Sequence, residues 1–503
     1  MESERSVKEM MFRRCMAALA IVVGYVSVCS GGHPIDMTLW RGETNVRILH
    51  DYAEIGAAPA GVDIRVGTAL EVRYLDRPLG THYSSFADRV VWGSSECGVR
   101  VVSVAVGEDV RPGIYVCGDL RLNVLDRVLP PPREWRYFLD LWQHPWAVAR
   151  WNGVKPFSER HYAAMRPLWE LLATAGQKAL TVTIVDRPWN HQCYDAYRSM
   201  VRRVRKDDGT WRFDYRIFDE YVAFGRSCGI GPKIACYTMC PWEYEVYWEN
   251  ERGEEQSARA EPGSAAFADY WGSFLVDFAA HLKQKGWFDD VYVALDERGP
   301  DDVAKIVAFL HQKASGLAIS FAGRESPSDF AAKGFEIENC CVGLHRIQPG
   351  LGKEAAARRQ KGFVTTSYVC CGPRYPNTFA ASELLEAFWL GAYPAFGGLD
   401  GFLRWAWNSW GRDPLKDASY TGIKGGWLAG DTYLVYPDGS PSLRFLELRN
   451  GIIAAEKVRI LREKGVLGAE RIEAMERRYD REKAIQNKVD FGQIKAETEK
   501  LVN

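Results

Sequence analysis

DVYVALDERGP, residues 290–300, decides how the chain is read. Val291 to Leu295 is a short apolar run. It ends in two adjacent carboxylates, Asp296 and Glu297, and Arg298-Gly299-Pro300 breaks it. Beyond the break Val303, Ile306, Val307 and Leu310 recur at helical spacing, with Asp301 as the expected cap. The pattern is a buried strand, a turn and an amphipathic helix. In a parallel α/β architecture the edge where strands run out is where ligands bind. A strand-end Asp-Glu more often caps or ion-pairs its helix, because charged loop residues are usually solvated. The same dipeptide at Asp219-Glu220 lies inside a helical pattern and reads as a solvated face.

Working outward, the same grammar repeats. Expected strands are 138–143 (FLDLWQ), 178–185 (KALTVTIV), 233–239 (KIACYTM), 291–295, 317–321, 340–344, 363–370 (FVTTSYVC) and 401–407 (GFLRWAW). Helical stripes separate most of them. The clearest has Ser264 as cap, Phe267, Trp271, Phe274, Leu275, Phe278 and Leu282 on one face, and Gly286 as its end. Between the fifth and sixth strands no helix is evident. Eight strands alternating with helices over 136–425 is the count and length of a TIM barrel. The alternative, a doubly wound sheet, lacks a Gly-rich phosphate fingerprint after its first strand.

Before the barrel, 33–130 alternates in short runs such as ALEVRYL (69–75) and VRVVSVAV (99–106), which predicts a β-sandwich, with Pro130-Pro131-Pro132 as a stiff linker. After it, 426–503 reads as an extended stretch (427–436), a helix from Ser440-Pro441 to about Arg462, and a charged helical stretch from Ala469 to Leu501 expected to be solvated or packing. At the start, Arg13 and Arg14 precede an apolar run from Met16 to Val28, then Ser30, Gly31 and Gly32. The run is too short for a membrane-spanning helix and has the form of an export signal over 1–32. A secreted or periplasmic location is expected. An outer-membrane lipoprotein anchored at Cys29 is the alternative, although Val28 stands where a small residue is expected. No other segment is apolar enough to span a membrane.

Bulk composition narrows the partners. The 503 residues are 47% hydrophobic and 26% charged with net charge −1, so no basic surplus points to nucleic acid. The 18 Trp imply either a large core or a carbohydrate site, since indole faces stack on the C–H faces of sugars. No Cys-x-x-Cys or Cys/His cluster has zinc spacing, so neither a metal nor a cofactor is implied. The vicinal pairs Cys340-Cys341 and Cys370-Cys371 sit in apolar runs and read as buried thiols. Cys97 and Cys117 could form a disulfide in an oxidising compartment.

The strand ends supply rings and amides around one mouth: Trp142 and His144, Trp189, Asn190 and His191, Tyr237 and Trp242, Tyr368, Trp405, Trp407, Asn408 and Trp410. With Asp296 and Glu297 these describe a sugar-hydrolysing site better than a phosphate or metal site. Trp242 and Trp405 are the expected walls, and Trp189, Asn190, Tyr237, Tyr368 and Asn408 the further sugar contacts. Ordinary glycosidases set two carboxyls across the scissile bond, usually from separate strands. Neighbouring acids fit the exception in which the substrate's 2-acetamido oxygen is the nucleophile. One carboxylate then orients the acetamido group and the other protonates the leaving oxygen. Two close carboxylates resist being charged together, so one proton is held near neutral pH, which a general acid needs.

RPWNHQCYDAYRSMV (187–201), IACYTMCPW (234–242), AEPGS (260–264), KGWFDDVYVALDER (285–298), YVCCGPRYPNTF (368–379), GFLRWAWNSWGRDP (401–414) and GDTYLVYP (430–437) carry a resemblance. From about Arg136 to Gly451 the chain resembles the catalytic domain of glycoside hydrolase family 123, whose characterised members are β-N-acetylgalactosaminidases. The resemblance implies an N-terminal sandwich, a TIM barrel and substrate-assisted retaining hydrolysis, with Asp296 stabilising the oxazoline and Glu297 as acid/base. The expected partner is a glycan, on a glycolipid or glycoprotein. Two rivals stand beside an exo-acting β-N-acetylhexosaminidase. One is an envelope protein that binds glycans without turnover. The other is a conventional glycosidase whose second carboxylate, Asp186 or Asp400, faces the pair across the mouth.

Overall fold

The computed structural model describes residues 34–49, 53–75, 83–422 and 425–503. The stretch expected to be an export signal, 1–32, and with it Cys29, lies outside the described residues.

The alternating N-terminal pattern folds as two sheets. Their strands are β1 (Ile35–Arg41), β2 (Thr44–Leu49), β3 (Val62–Leu75), β4 (Tyr83–Trp92), β5 (Val99–Val106), β6 (Gly113–Cys117) and β7 (Leu120–Val128). One sheet runs β1-β7-β6 and the other β2-β5-β3-β4. Period-two spacing sends Val102, Val104 and Val106 of β5, and Leu120, Leu122 and Val124 of β7, into one core with Met37 and Leu39.

The eight expected barrel strands are present, all parallel: β8 (Phe138–Leu141), β9 (Ala179–Thr183), β12 (Lys233–Tyr237), β15 (Val291–Asp296), β16 (Ala318–Gly323), β17 (Asn339–Gly343), β18 (Val364–Tyr368) and β19 (Gly401–Arg404), with β10, β11, β13 and β14 inserted among them. The seam between β8 and β9 is closed largely by side chains. Gln177 Oε1 accepts from Leu141 N at 3.0 Å and Gln143 Oε1 from Thr181 N at 2.8 Å. Both amides are buried. Helices α1 (Pro145–Asn152), α2 (Glu159–Ala173), α3 (Arg216–Ser227), α4 (Ala265–Lys285), α5 (Pro300–Lys313), α6 (Pro327–Ala331), α7 (Leu351–Arg359) and α8 (Leu384–Gly397) surround it. The α4 expectation holds at both ends. Ser264 accepts from Phe267 N, and Gly286 closes the helix at φ 69°. The six apolar residues of its expected stripe are all buried. Each stabilises the fold by about 1.5–3 kcal/mol relative to exposure.

Three features differ from the sequence reading. Asp301 does not cap α5. Gly299 is the cap residue and Pro300 takes the first helical position, where its missing N–H costs nothing, leaving Asp301 in the first turn. A four-stranded sheet, β11-β10-β13-β14, is inserted above the mouth from β10 (Arg202–Arg205), β11 (Trp211–Asp214), β13 (Glu245–Asn250) and β14 (Glu255–Arg259). Of the expected extended stretch over 427–436, Trp427 ends a short strand (Gly425–Trp427), and beyond it Tyr433 and Val435 make only isolated bridges, to Asn408 and Pro441.

The C-terminal extension fastens the domains together. Helix α9 (Leu443–Glu463) crosses α8 at glycines. A Cβ on Gly451 would meet Phe388 O at 2.2 Å, and one on Gly391 would meet Leu448 O at 2.4 Å. Two buried ion pairs tie α9 to the N-terminal sheets, Arg444–Asp88 at 2.9 Å and Lys457–Glu43 at 2.6 Å. The charged stretch beyond packs rather than floats. Helices α10 (Ala469–Arg478), α11 (Arg481–Ile485) and α12 (Phe491–Val502) bury Ile472, Met475, Phe491 and Ile494, and Tyr479 stacks on Phe396 at 4.3 Å.

Candidate active site

The C-terminal strand ends converge on one cavity of about 100 Å³ lined by Trp142, Gln192, Trp242, Asp296, Glu297, Ala322, Tyr368, Cys370, Cys371, Leu403, Trp405 and Trp427. A larger groove of about 780 Å³ lies at the other end of the barrel, where Arg359 and Asp400 line it. Several of its charges pair within it, Arg359 with Asp400 at 2.5 Å and Arg136 with Glu463 at 2.9 Å. Chemistry in this architecture belongs to the C-terminal face, which is where the carboxylate pair stands.

Successive strand residues point to opposite sides, so an adjacent Asp and Glu would not normally reach one cavity. The backbone solves this at Glu297. Asp296 is the last ladder residue of β15, opposite Ala322. Glu297 then adopts φ 47°, while its N–H still donates to Ala322 O at 2.8 Å. A left-handed non-glycine residue costs about 1–3 kcal/mol, and such strain gathers at functional sites. The turn re-aims Glu297 so that both carboxyls line the cavity.

Each acid has its own partners. Asp296 Oδ2 accepts from Trp189 Nε1 at 2.8 Å and from Trp242 Nε1 at 3.2 Å. Among the described residues both of these side-chain bonds fall on Oδ2 and none on Oδ1. Burial, and then the charge of Glu297, push the Asp296 carboxyl up to about 7, against the two indole N–H groups and Arg298, which favour the anion. Glu297 is exposed at the mouth and accepts from the Tyr368 hydroxyl at 2.8 Å. Burial and the Glu297 charge hold the Tyr368 phenol far above its ordinary value, so it stays a donor. Arg298 fixes the turn from behind, donating to Asp296 O at 3.2 Å and Trp242 O at 3.3 Å.

A stack of rings positions the Asp296 clamp. Trp189 lies on Trp142 with ring centroids 5.2 Å apart and meets Tyr197 edge-on at 4.8 Å. Tyr197 in turn stacks on His144 at 3.7 Å. The inserted sheet steadies the Trp189 loop through Glu255 of β14, which binds Arg187 at 3.3 Å and Arg198 at 2.8 Å.

Of the expected sugar contacts, Trp242, Tyr368 and Trp405 line the cavity with the acids, and Trp189 reaches it through Asp296. Three do not line it. Tyr237 is buried beneath Trp142 and Trp189, at 4.6 and 5.1 Å. Asn190 sits half-buried in a short turn at φ 45°, and Gln192 lines the cavity instead. The His191 side chain lies outside those described. Asn408 is fully buried and clamps the backbone of His144, accepting from its N–H at 2.8 Å and donating to its C=O at 3.0 Å. Asn408→Ala leaves both groups unpaired, at about 1–3 kcal/mol each. It is expected to lower Tm in a thermal melt. A variant of full stability with a raised KM would instead put Asn408 at the sugar.

Trp407 and Trp410 belong to the core. Asp186 is bound to Arg198 at 2.7 Å away from the cavity lining, and Asp400 precedes β19, at the far end of the barrel. Neither faces the pair. The sequence reading missed Gln192, Cys370, Cys371 and Trp427 as lining residues. Trp427 meets Trp405 edge-on at 5.8 Å and donates to Gln192 O at 3.1 Å. Of the two vicinal pairs, Cys340-Cys341 is buried in β17 as expected, whereas Cys370 is half-buried and Cys371 exposed, because the chain has already left β18. Cys97 and Cys117 are both free, Cys97 exposed and Cys117 buried.

Residues 142–461 match the family described as Glycoside hydrolase 123, catalytic domain. No curated protein sequence matches the chain. Among solved structures, a family 123 glycoside hydrolase from Clostridium perfringens, studied for glycolipid glycan hydrolysis, is 24% identical over 94% of each chain with a TM-score of 0.78, a likeness of fold. The intracellular xylanase TsXylA from Thermoanaerobacterium saccharolyticum (11% identity, 64% of this chain and 98% of that one, TM-score 0.34) and SrfJ from Salmonella typhimurium (10%, 78% and 84%, TM-score 0.37) overlay too loosely to carry an argument. The match to the family covers well over half of the 503 residues, and its span holds the carboxylate pair and the whole ring of cavity side chains. This chain therefore belongs to glycoside hydrolase family 123.

Proposed function

We propose that this glycoside hydrolase is an exo-acting β-N-acetylgalactosaminidase, or a related β-N-acetylhexosaminidase, that works by substrate-assisted retention. One observation carries the reading. Among the described residues the cavity holds two carboxyl groups, and they are neighbours at one strand end rather than partners across the mouth. Among the described residues, then, no cavity-lining carboxylate on the opposite side stands ready as a separate nucleophile or base. Asp296, held on Oδ2 by two indoles, offers Oδ1 to the acetamido N–H and a negative charge to the oxazolinium. Glu297, open to the mouth, gives its proton to the leaving oxygen and then draws one from water. Trp405 and Trp427 offer ring faces to the sugar. The substrate sugar sits at the end of a glycolipid or glycoprotein glycan.

The protons follow from the pair. Burial and the neighbouring Glu297 charge keep a proton on Asp296 up to about pH 7. An acetamido N–H donating to Asp296 favours its anion, and the proton that Asp296 releases becomes available to the leaving group. kcat/KM is therefore expected to fall above about pH 7, as the pair loses the proton the leaving group needs. A pH–rate profile that stays level well above that point would contradict this assignment. The reading itself is tested with a panel of aryl glycosides and the anomeric form of the first product. Turnover confined to β-2-acetamido sugars with retention supports it. Binding without turnover of any member would leave a glycan-binding protein.

A further inference from the structure

Cys370 and Cys371 are adjacent thiols in the cavity wall, beside the carboxylate pair. Their sulfurs lie 3.9 Å apart. Among the described residues Cys97 and Cys371 are the exposed cysteines, and Cys97 is in the N-terminal sheets. The glycosidase chemistry proposed above uses neither thiol of the pair.

We propose that Cys370 and Cys371 are a redox modification site: a small-molecule or protein disulfide converts them to a vicinal disulfide that reshapes the sugar-facing wall, and dithiol reductants reverse it. The consequence for sugar binding rests on the cavity being the sugar site; the modification itself does not. Cys371, being exposed, attacks first. Its thiolate displaces one sulfur of the incoming disulfide as a thiolate and forms a mixed disulfide. The Cys370 sulfur, deprotonated, then attacks Cys371 Sγ and expels the second thiolate. The two protein thiols lose two electrons and two protons, and the incoming disulfide gains them as two thiols. The hydrogen bond with Cys370 holds the Cys371 thiol below its ordinary value, which favours this order.

Geometry makes the bond reversible. Adjacent residues hold their Cα atoms about 3.8 Å apart, short of the roughly 4.4–6.8 Å of ordinary disulfides. A strained disulfide is more easily reduced and belongs to the labile, regulatory class. The surroundings decide which side moves. Upstream, Val369 O accepts from the buried Arg404 at 3.3 Å, and Cys370 O accepts from Asn377 Nδ2 at 3.1 Å. Arg404 is itself bound to the buried Asp431 at 2.7 Å. Downstream, Cys371 is exposed and Gly372 has open space around it. What holds the turn is a bond from Cys370 N to Gly372 O at 3.1 Å and one from Asn377 Nδ2 to Pro373 O at 2.7 Å, which ring closure loads first. Closing the ring therefore shifts Cys371 and the turn after it, and leaves the Tyr368–Glu297 bond in place. The expected change is in KM rather than in the chemical step.

The test uses the full chain carrying Cys97→Ser, treated with oxidised glutathione and then with an alkylating agent. Peptide mass is expected to show residues 370 and 371 joined to each other and unalkylated, with Cys340 and Cys341 still alkylated after unfolding. On an aryl glycoside that the enzyme turns over, KM is expected to rise several-fold with kcat little changed, to return on treatment with dithiothreitol, and to stop responding to oxidant in Cys371→Ser. A pair that stays alkylatable, a glutathione adduct that persists on Cys371 without ring closure, or a closed ring with unaltered kinetics would each overturn the proposal. The mass readout needs no activity, so an enzyme inactive on acetamido sugars fails the reading above without deciding this one.

Discussion

Glu297→Gln is expected to hydrolyse a β-GalNAc glycoside with a poor leaving group roughly 10²–10⁴ times more slowly than the wild type. The substitution keeps the shape of the side chain and removes the proton. Tyr368 still has an oxygen to donate to, so the mouth is not expected to rearrange. The loss should shrink on a nitrophenyl glycoside, because a good leaving group departs with little protonation. That inequality separates an acid from a binding residue. Equal losses on both substrates, measured as kcat/KM, would remove Glu297 from the acid role.

Asp296→Asn is expected to cost about 10²–10³ in kcat, roughly 2.7–4 kcal/mol, while still binding sugar. Its carboxylate is preorganised: two indole N–H groups fix Oδ2, and a stack running through Trp189, Tyr197 and His144 fixes the nearer indole. An amide in that place offers no negative charge to a closing oxazolinium ring. A thiazoline mimic of the bicyclic intermediate should inhibit the wild type far more tightly than the parent sugar, since a transition-state-like ligand gains what the ground state lacks. Asp296→Asn should lose most of that preference. An inhibition constant for the thiazoline that is the same in both proteins would mean Asp296 does not meet the developing charge.

The barrel was legible because each strand is a short apolar run that ends abruptly in polar residues, as Val291–Leu295 does before Asp296. The inserted sheet was not. Two of its strands, RRVR and EQSAR, are only four and five residues long and charged, and the other two, WRFD and EVYWEN, break their aromatic residues with charges. Helix α7, LGKEAAARR, escaped for a related reason, since only Leu351, Ala355 and Arg358 are buried. Helix α6 has just five residues.

The site divides along the same line. An Asp-Glu pair at a strand end is a sequence signal, but the left-handed backbone at Glu297 that makes the pair usable is not, because nothing in Glu requires it. Asn408 shows the converse. An Asn after a strand suits a sugar contact and a backbone clamp equally, and only the His144 groups beside it decide for the clamp. Cys371 reaches the cavity from a loop and Trp427 from the end of a three-residue strand, too short for any periodicity to predict which way a side chain faces.

The central claim is that the substrate supplies its own nucleophile. Successive fluorination of the 2-acetamido methyl group tests it most directly, because fluorine drains electron density from the carbonyl oxygen while changing size little. If that oxygen attacks, kcat/KM on a common aryl leaving group should fall steeply and in order through the mono-, di- and trifluoroacetamido substrates. A flat series, or a covalent glycosyl adduct trapped on Asp296, would show that the acetamido group is not the nucleophile.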